Sequence, residues 1–184
     1  MTDKRRFNSL TADLINQRNL VHETCRQFSR SPSKGNLKRL KALFSSCGEQ
    51  VYIESGFYCD YGDAITIGDR SYINANCTII DGAAASNKEA IGAVTIGQDC
   101  LIGPNVQFLA VSHDIEPQAR RANKFNYVGD ITLADNVWLG GGVIVLAGVS
   151  IGQNSVVGAG SVVTKSIPEN SFYAGNPAQF IRTV

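Results

Sequence analysis

The chain has 184 residues, 19.8 kDa of mass, and 17 basic against 16 acidic side chains. That length suits one domain with a short appendage and excludes two full catalytic domains. The near-neutral balance argues against a chain-wide nucleic-acid or membrane footprint. The charge is unevenly placed: residues 1–50 carry 10 basic and 4 acidic groups, residues 51–184 carry 7 and 12. Of the 31 Val and Ile, 29 follow residue 50, as do 16 of the 18 Gly. This predicts a helical appendage at 1–50 and a β-rich, turn-rich body at 51–184.

In chain order, the N-terminus (MTDKRRFNSLTADLI) has basic residues but no apolar stretch of a secretory signal. No apolar run approaches the roughly 20 residues that span a bilayer, so a cytoplasmic address without membrane contact is expected. Leu10, Leu14, Val21, Cys25 and Phe28 recur at helical spacing, predicting an amphipathic helix over 10–28. Ser31-Pro32-Ser33 breaks it, and Leu37, Leu40, Leu43 and Phe44 restart the period before Cys47-Gly48. The basic face of these helices (Arg18, Arg26, Arg30, Lys34, Lys38, Arg39, Lys41) reads as solvated surface beside an acidic body. No aromatic interleaving supports a nucleic-acid module. Five cysteines (Cys25, Cys47, Cys59, Cys77, Cys100) form an odd set without a CxxC pair, so neither a disulfide framework nor a zinc site is expected. They read as small buried apolar residues.

The body repeats in sixes. Leu133, Leu139, Val145, Ile151, Val157 and Val163 fall at one register, followed by small residues such as Ala134, Gly140, Gly152 and Gly158. Fifth positions are Val137, Val143, Val149, Ser155, Ser161 and Ile167, and shorter blocks run through Ile67, Ile73, Ile79 and Ile96, Ile102, Phe108. Such hexapeptides describe a parallel β-helix of 18-residue triangular coils, with aliphatic first positions stacked inside at the ~4.8 Å strand spacing. Gly and Asn near the corners supply unusual backbone angles. Two interruptions, Gly82 to Ala93 and Ala110 to Asp130, leave the solenoid where chemistry is expected.

The hexapeptides together with CDYGDAITIG (59–68), YINANCTIID (72–81), HDIEPQAR (113–120), DNVWLGGGVIVLAGVSIG (135–152), VVGAGSVVTKSIP (156–168) and AGNPAQFIR (174–182) resemble the maltose and galactoside O-acetyltransferases, a branch of the hexapeptide acyltransferases. The resemblance covers residues 13–183 and implies left-handed coiling, a homotrimer with sites between subunits, and acetyl-CoA as co-substrate without a metal. It also implies acetyl transfer to a hydroxyl of a small-molecule acceptor, a saccharide. By resemblance His113 is the general base that takes the acceptor proton during direct attack on the thioester, with no acyl-enzyme. The resemblance puts Asp60 and Asn74 on the acceptor side, Gly141 at the thioester oxygen, and Ala159, Thr164, Lys165 and Arg182 on coenzyme A. Thr, Lys and Arg suit a nucleotide and its phosphates. Trp138 reads either as a wall of the thioester pocket or as a packed edge residue.

The chain departs from the family at Asp114, at Lys124 and Phe125, and at Gln179. The family's N-terminal acceptor segment has no counterpart, and basic Lys4-Arg5-Arg6 stands in its place. The zinc carbonic anhydrases share such a prism but need three His ligands, and this chain has two His. A non-enzymatic assembly scaffold and an acyltransferase for a non-sugar acceptor are the remaining alternatives.

Overall fold

The computed structural model describes residues 5–83 and 92–184. The aliphatic period of six produces three parallel sheets that form the faces of a triangular prism. The first face stacks Ser46–Cys47, Ile65–Ile67, Val94–Ile96, Ile131–Leu133 and Ser150–Ile151. The second stacks Tyr52–Ile53, Tyr72–Ile73, Leu101–Ile102, Trp138–Leu139 and Val156–Val157, and the third Tyr58–Cys59, Thr78–Ile80, Gln107–Leu109, Ile144–Leu146 and Val162–Val163. The chain runs from first to second to third face and repeats. The first coil draws on residues either side of position 50, since Ser46–Cys47 pairs with Thr66 and Ile67.

Register explains the residue types. Ile67, Ile96, Leu133 and Ile151 are direct neighbours down the first face, as are Ile73, Ile102, Leu139 and Val157 down the second. All eight are buried, and each such side chain contributes roughly 1.5–3 kcal/mol by leaving water. The fifth positions Val137, Val143, Val149, Ser155, Ser161 and Ile167 are buried as well. The buried hydroxyls find acceptors nearby: Ser155 donates to the Pro168 carbonyl at 2.8 Å and Ser161 to that of Gly158 at 2.6 Å. Corners require left-handed backbone, and Asn76, Asn105, Asn136, Asn154 and Asn170 supply it at φ between 54° and 60°. Three of them form a ladder, with Asn136 Nδ2 donating to Asn154 at 3.0 Å and Asn154 Nδ2 to Asn170 at 2.9 Å.

The N-terminal end is closed by α1 (Ala12–Arg30) and α2 (Lys34–Lys41), joined through Ser33, whose hydroxyl accepts from Asn36 N–H at 3.3 Å. Val21, Cys25 and Phe28 of α1 and Leu40 of α2 are buried in the same core as the coils, with Phe44 and Phe57 edge to face. Leu10, assigned to the apolar stripe of this helix from its spacing, is instead 58% exposed. It precedes the first helical residue, because the chain there has already turned toward a different partner. The C-terminal end is closed by an antiparallel hairpin, Ser171–Ala174 with Gln179–Thr183, laid on the second face.

The interruption at 110–130 is structured. Val111–Ser112 and Asn126–Val128 pair antiparallel around α3 (Pro117–Ala122), and Arg6–Phe7 adds a third strand to the outer edge. Ala110 belongs to the core and not to the excursion, being fully buried under the third face. The other interruption, Gly82 to Ala93, falls largely outside the described residues, but its roots are fixed. Gly82 N–H donates to the Gly92 carbonyl at 3.0 Å, and Ala93 N–H to the Asp130 carboxylate at 2.9 Å. The two excursions therefore leave from one edge of the prism.

Candidate active site

The residues singled out from sequence divide between two edges of the prism. Where the second face turns into the third, the last three coils carry small residues: Gly103, Gly140, Gly141, Gly158 and Ala159 stand there. A Cβ on Gly140 would fall 2.5 Å from the Ala159 nitrogen, so the coils touch backbone to backbone at that position. Gly141 faces outward, its nearest neighbour to such a carbon being Pro104 at 3.4 Å. Among the described residues its N–H donates no hydrogen bond. The result is a cavity of about 590 Å³ lined by Asn74, Gly103, Pro104, Gly141 and Ala159 on one side and by Trp138, Val156, Phe172 and Arg182 on the other. Its surface is mostly apolar, with the Arg182 guanidinium 5.9 Å from the Phe172 ring centre.

Asn74 does not sit in left-handed geometry; that role falls to Asn76. Its Oδ1 accepts the Ala75 N–H at 2.8 Å, and its side chain lines this cavity with Gly141 and not the one beside His113. Trp138 is 54% exposed on the second face, which makes it a wall residue of the cavity.

The edge where the third face turns into the first is built from side chains. His113 lies there on the structured excursion, lining a cavity of about 530 Å³ with Ser112, Asp114, Tyr127 and Ala147. Its Nδ1 is 3.3 Å from the Phe125 carbonyl oxygen. A proton on Nδ1 donated to that carbonyl leaves Nε2 as the basic nitrogen. The segment that carries this acceptor is itself held: the Arg6 guanidinium lies 4.7 Å over the Phe125 ring, and Arg5 pairs with Asp130 at 2.7 Å. The Tyr127 hydroxyl donates to Asp114 at 2.8 Å. Lys4 lies outside the described residues.

Asp60 stands on the same edge, at the end of the lowest rung of the third face. It is no exposed turn carboxylate: its Oδ1 is 3.1 Å from His22 Nε2, and its side chain is 21% exposed. Beneath it the Asp81 carboxylate accepts three backbone N–H groups, from Asp60 and Tyr61 at 3.0 Å and Gly62 at 2.7 Å. Burial outweighs those donors and pushes the Asp81 carboxyl up to about 7. Burial, with the Asp60 charge next, pushes the nearby Tyr58 hydroxyl up to about 12. Higher on this edge Thr164 and Lys165 line a third, smaller cavity with Gln179 and Phe180. Among the described residues no group of three or more His, Cys, Asp or Glu is gathered that could hold a metal ion. No helix there is long and apolar enough to cross a membrane. All five cysteines are free, with Cys47 only partly buried.

Sequence reasoning missed the restraint on His113. Arg6 and Phe125 meet across more than a hundred residues, and two-residue strands leave no periodic signal. The Asp81 contacts had one: a carboxylate directly after an apolar rung, 20 residues beyond a CDYG turn.

Comparison with known proteins identifies the family. The bacterial transferase hexapeptide (six repeats) profile matches residues 130–165, and the hexapeptide repeat of succinyl-transferase matches 93–107. The galactoside O-acetyltransferase of Escherichia coli is 36% identical over 191 aligned residues, covering the whole of this chain and 89% of its own. A maltose O-acetyltransferase from Clostridium difficile superposes with a TM-score of 0.88 at 32% identity, covering 98% of this chain and 93% of that one. A hexapeptide-repeat acetyltransferase from Vibrio cholerae in complex with acetyl coenzyme A gives 0.86 at 32% identity, covering 96% and 92%. A structural scaffold without catalytic activity is thereby set aside. The chain belongs to the galactoside and maltose O-acetyltransferase family of hexapeptide-repeat proteins, and is an acetyl-CoA-dependent acyltransferase built on a left-handed parallel β-helix.

Proposed function

We propose that the chain moves the acetyl group of acetyl-CoA to a hydroxyl of a saccharide acceptor, with His113 as general base, in sites formed between the copies of a homotrimer. The observation that carries the reading is the His113 Nδ1 contact to the Phe125 carbonyl at 3.3 Å. It fixes the tautomer whose Nε2 takes a proton. The acceptor oxygen attacks the thioester carbonyl carbon as its proton passes to Nε2. The tetrahedral oxyanion is met by the Gly141 N–H. Collapse breaks the C–S bond, and the imidazolium returns its proton to the leaving thiolate, so no acyl-enzyme intervenes.

Where the parts lie supports that assembly. His113, Asp60, Thr164 and Lys165 occupy one edge of the prism, while Asn74, Gly141 and Ala159 occupy another. A carrier gripped by Gly141, Ala159, Arg182 and Lys165 together, with its acetyl group near a His113, is accommodated by a site between two copies, which favours this reading. The second face offers the contact surface. Tyr52, Tyr72, Leu101, Trp138, Val156 and Phe172 run down it in register, outward and apolar. Tyr52, Leu101 and Trp138 are more than half exposed in the single chain, and such a stripe calls for a partner.

Asn74 from the glycine edge and Asp60 from the His113 edge then face the acceptor, polar groups matched to sugar hydroxyls. The free cysteines suit a reducing cytoplasm.

The test is an acceptor panel with acetyl-CoA, read as thiol release, beside sedimentation of the active sample. Saccharides should be acetylated and the non-sugar alcohols in the panel should not. Turnover only with non-sugar alcohols would sink the acceptor class, and an active monomer of 19.8 kDa would sink the shared site.

A further inference from the structure

Only two histidines occur in the chain, and the mechanism uses one. His22 sits on α1, which closes the end of the solenoid and lies far along the sequence from the excursion that carries His113. Its surroundings are more specific than a helix cap requires. Gln17, Arg18 and His22 follow one another along one side of α1, and all three reach the turn that ends the first rung of the third face. Gln17 Nε2 donates to Asp63 at 2.9 Å, Arg18 donates to the Tyr61 hydroxyl at 2.9 Å, and His22 Nε2 lies 3.1 Å from Asp60 Oδ1. The Tyr58 hydroxyl is 2.7 Å from the same His22 nitrogen, with the two rings 4.7 Å apart.

This turn is therefore held twice. Its backbone is fixed from the solenoid side by Asp81, which takes the N–H groups of Asp60, Tyr61 and Gly62. Its side chains are fixed from the helix side. The turn also touches the frame of the His113 excursion, since the Tyr61 ring meets Phe7 at 6.0 Å and Phe7 pairs with Asn126. Asp60 is withdrawn from most of the solvent, and a carboxylate so placed needs a donor. With Oδ1 engaged by the imidazole, the direction of Oδ2 is set by the ring and not by free rotation about the side chain.

We propose that His22 is a positioning residue for the acceptor: its Nε2 holds one oxygen of Asp60 so that the other takes a hydroxyl of the substrate. The helical cap thereby acts in acceptor recognition, through a contact that no acetyl-CoA group shares. This inference rests on the acceptor-side placement of Asp60 argued above.

The experiment is steady-state kinetics of the intact enzyme with its best panel acceptor, for His22→Leu, His22→Gln, Asp60→Asn and the double variant His22→Leu/Asp60→Asn. Loss of one hydrogen bond to a charged group should raise the acceptor KM of His22→Leu by about tenfold or more. The acetyl-CoA KM should stay near wild type, while Tm falls modestly because the Asp60 carboxylate loses a donor. A glutamine amide reaches the place of Nε2, so His22→Gln should recover most of the loss. In the Asp60→Asn background, the leucine should add little.

Three results would overturn the inference. The acceptor KM of His22→Leu could stay unchanged beside an affected Asp60→Asn, and then His22 alone is misassigned. Both KM values could rise together without rescue by glutamine, which marks a merely structural contact. Asp60→Asn could leave the acceptor KM unchanged, and then the acceptor role of Asp60 falls with that of His22.

Discussion

The two working edges of the prism are made of opposite materials. The glycine edge is shaped by what the repeat leaves out: Gly103, Gly140, Gly141, Gly158 and Ala159 open a cavity because successive coils lack side chains there. The histidine edge is shaped by what is added: an excursion, an N-terminal strand and a helical cap converge around His113, Asp60 and Asp81. At the first edge the wall formed by Gly103, Gly140, Gly141 and Gly158 is backbone held by the stacked coils. The second is a set of side chains whose directions depend on one another. The difference teaches how one fold can set a wall made by its repeat beside a surface made by its added segments, the second open to change without the first.

The comparison breaks most sharply at His113. General-base catalysis contributes about 10² to 10⁴-fold, so His113→Ala should lower kcat by that order with its best acceptor. Tm should hold, because the ring is exposed on the excursion. Retention of most of the activity would move the base elsewhere.

Two adjacent glycines test the other edge. Gly140→Ala drives a methyl group into the backbone of residue 159 and should cost about 1–3 kcal/mol as an overpacked core does, read as a fall in Tm of several degrees. Gly141→Ala points its methyl group at the cavity and should leave Tm alone while weakening acetyl-CoA in calorimetry. Equal Tm losses for the two would show that the cavity wall is also a packing seam.

Asp81 tests the histidine edge by its pH dependence. Its carboxyl titrates at about 7 in the fold against an ordinary 3.8, so the native state binds that proton more tightly than the unfolded chain. Stability from this group is complete below the unfolded value and is lost as pH rises toward the folded one. Asp81→Asn removes the titration. The wild-type Tm minus the variant Tm should therefore shrink between pH 4 and pH 7. A difference that grows instead would mean that the three N–H donors keep the carboxylate ionised.

The smallest effects belong to the carrier's far end. Lys165→Ala and Arg182→Ala should each raise the acetyl-CoA KM by about tenfold, the cost of one charge-assisted contact, with less change in kcat because neither touches the reacting carbon. A loss confined to kcat would contradict both placements.

The repeat that builds the glycine edge was readable in the sequence because it is local. A period of six places every rung, but small residues follow the aliphatic ones at Ala134 and Gly152 of the first face as well as at Gly140 and Gly158 of the second, so the corner that becomes the cavity was marked only by the resemblance at Gly141 and Ala159. Ser33 and the apolar spacing likewise placed both helices to within a few residues. The histidine edge was only half readable. His113 stood out by its motif, but Arg6–Phe7 contributes two residues to a sheet whose other strands begin at Val111. That pairing also explains Leu10: the stripe ended where the chain left its helix to reach a partner over a hundred residues away. His22 and Asp60 are linked by the docking of α1, which fixes depth and rotation that no spacing rule contains.

The closure of both ends of the solenoid has a consequence for the behaviour of the chain in a crowded solution. A stacked prism terminates in rungs whose amides and carbonyls invite another prism to continue them. Here Lys41 donates to the Val51 carbonyl at 2.6 Å and Ser55 to that of Ser29 at 3.0 Å, while Gln179–Thr183 crosses the last rungs in the opposite direction. With both ends so covered, the column of five turns offers no bare rung for another prism to continue, and a chain stripped of either cover is expected to add end to end.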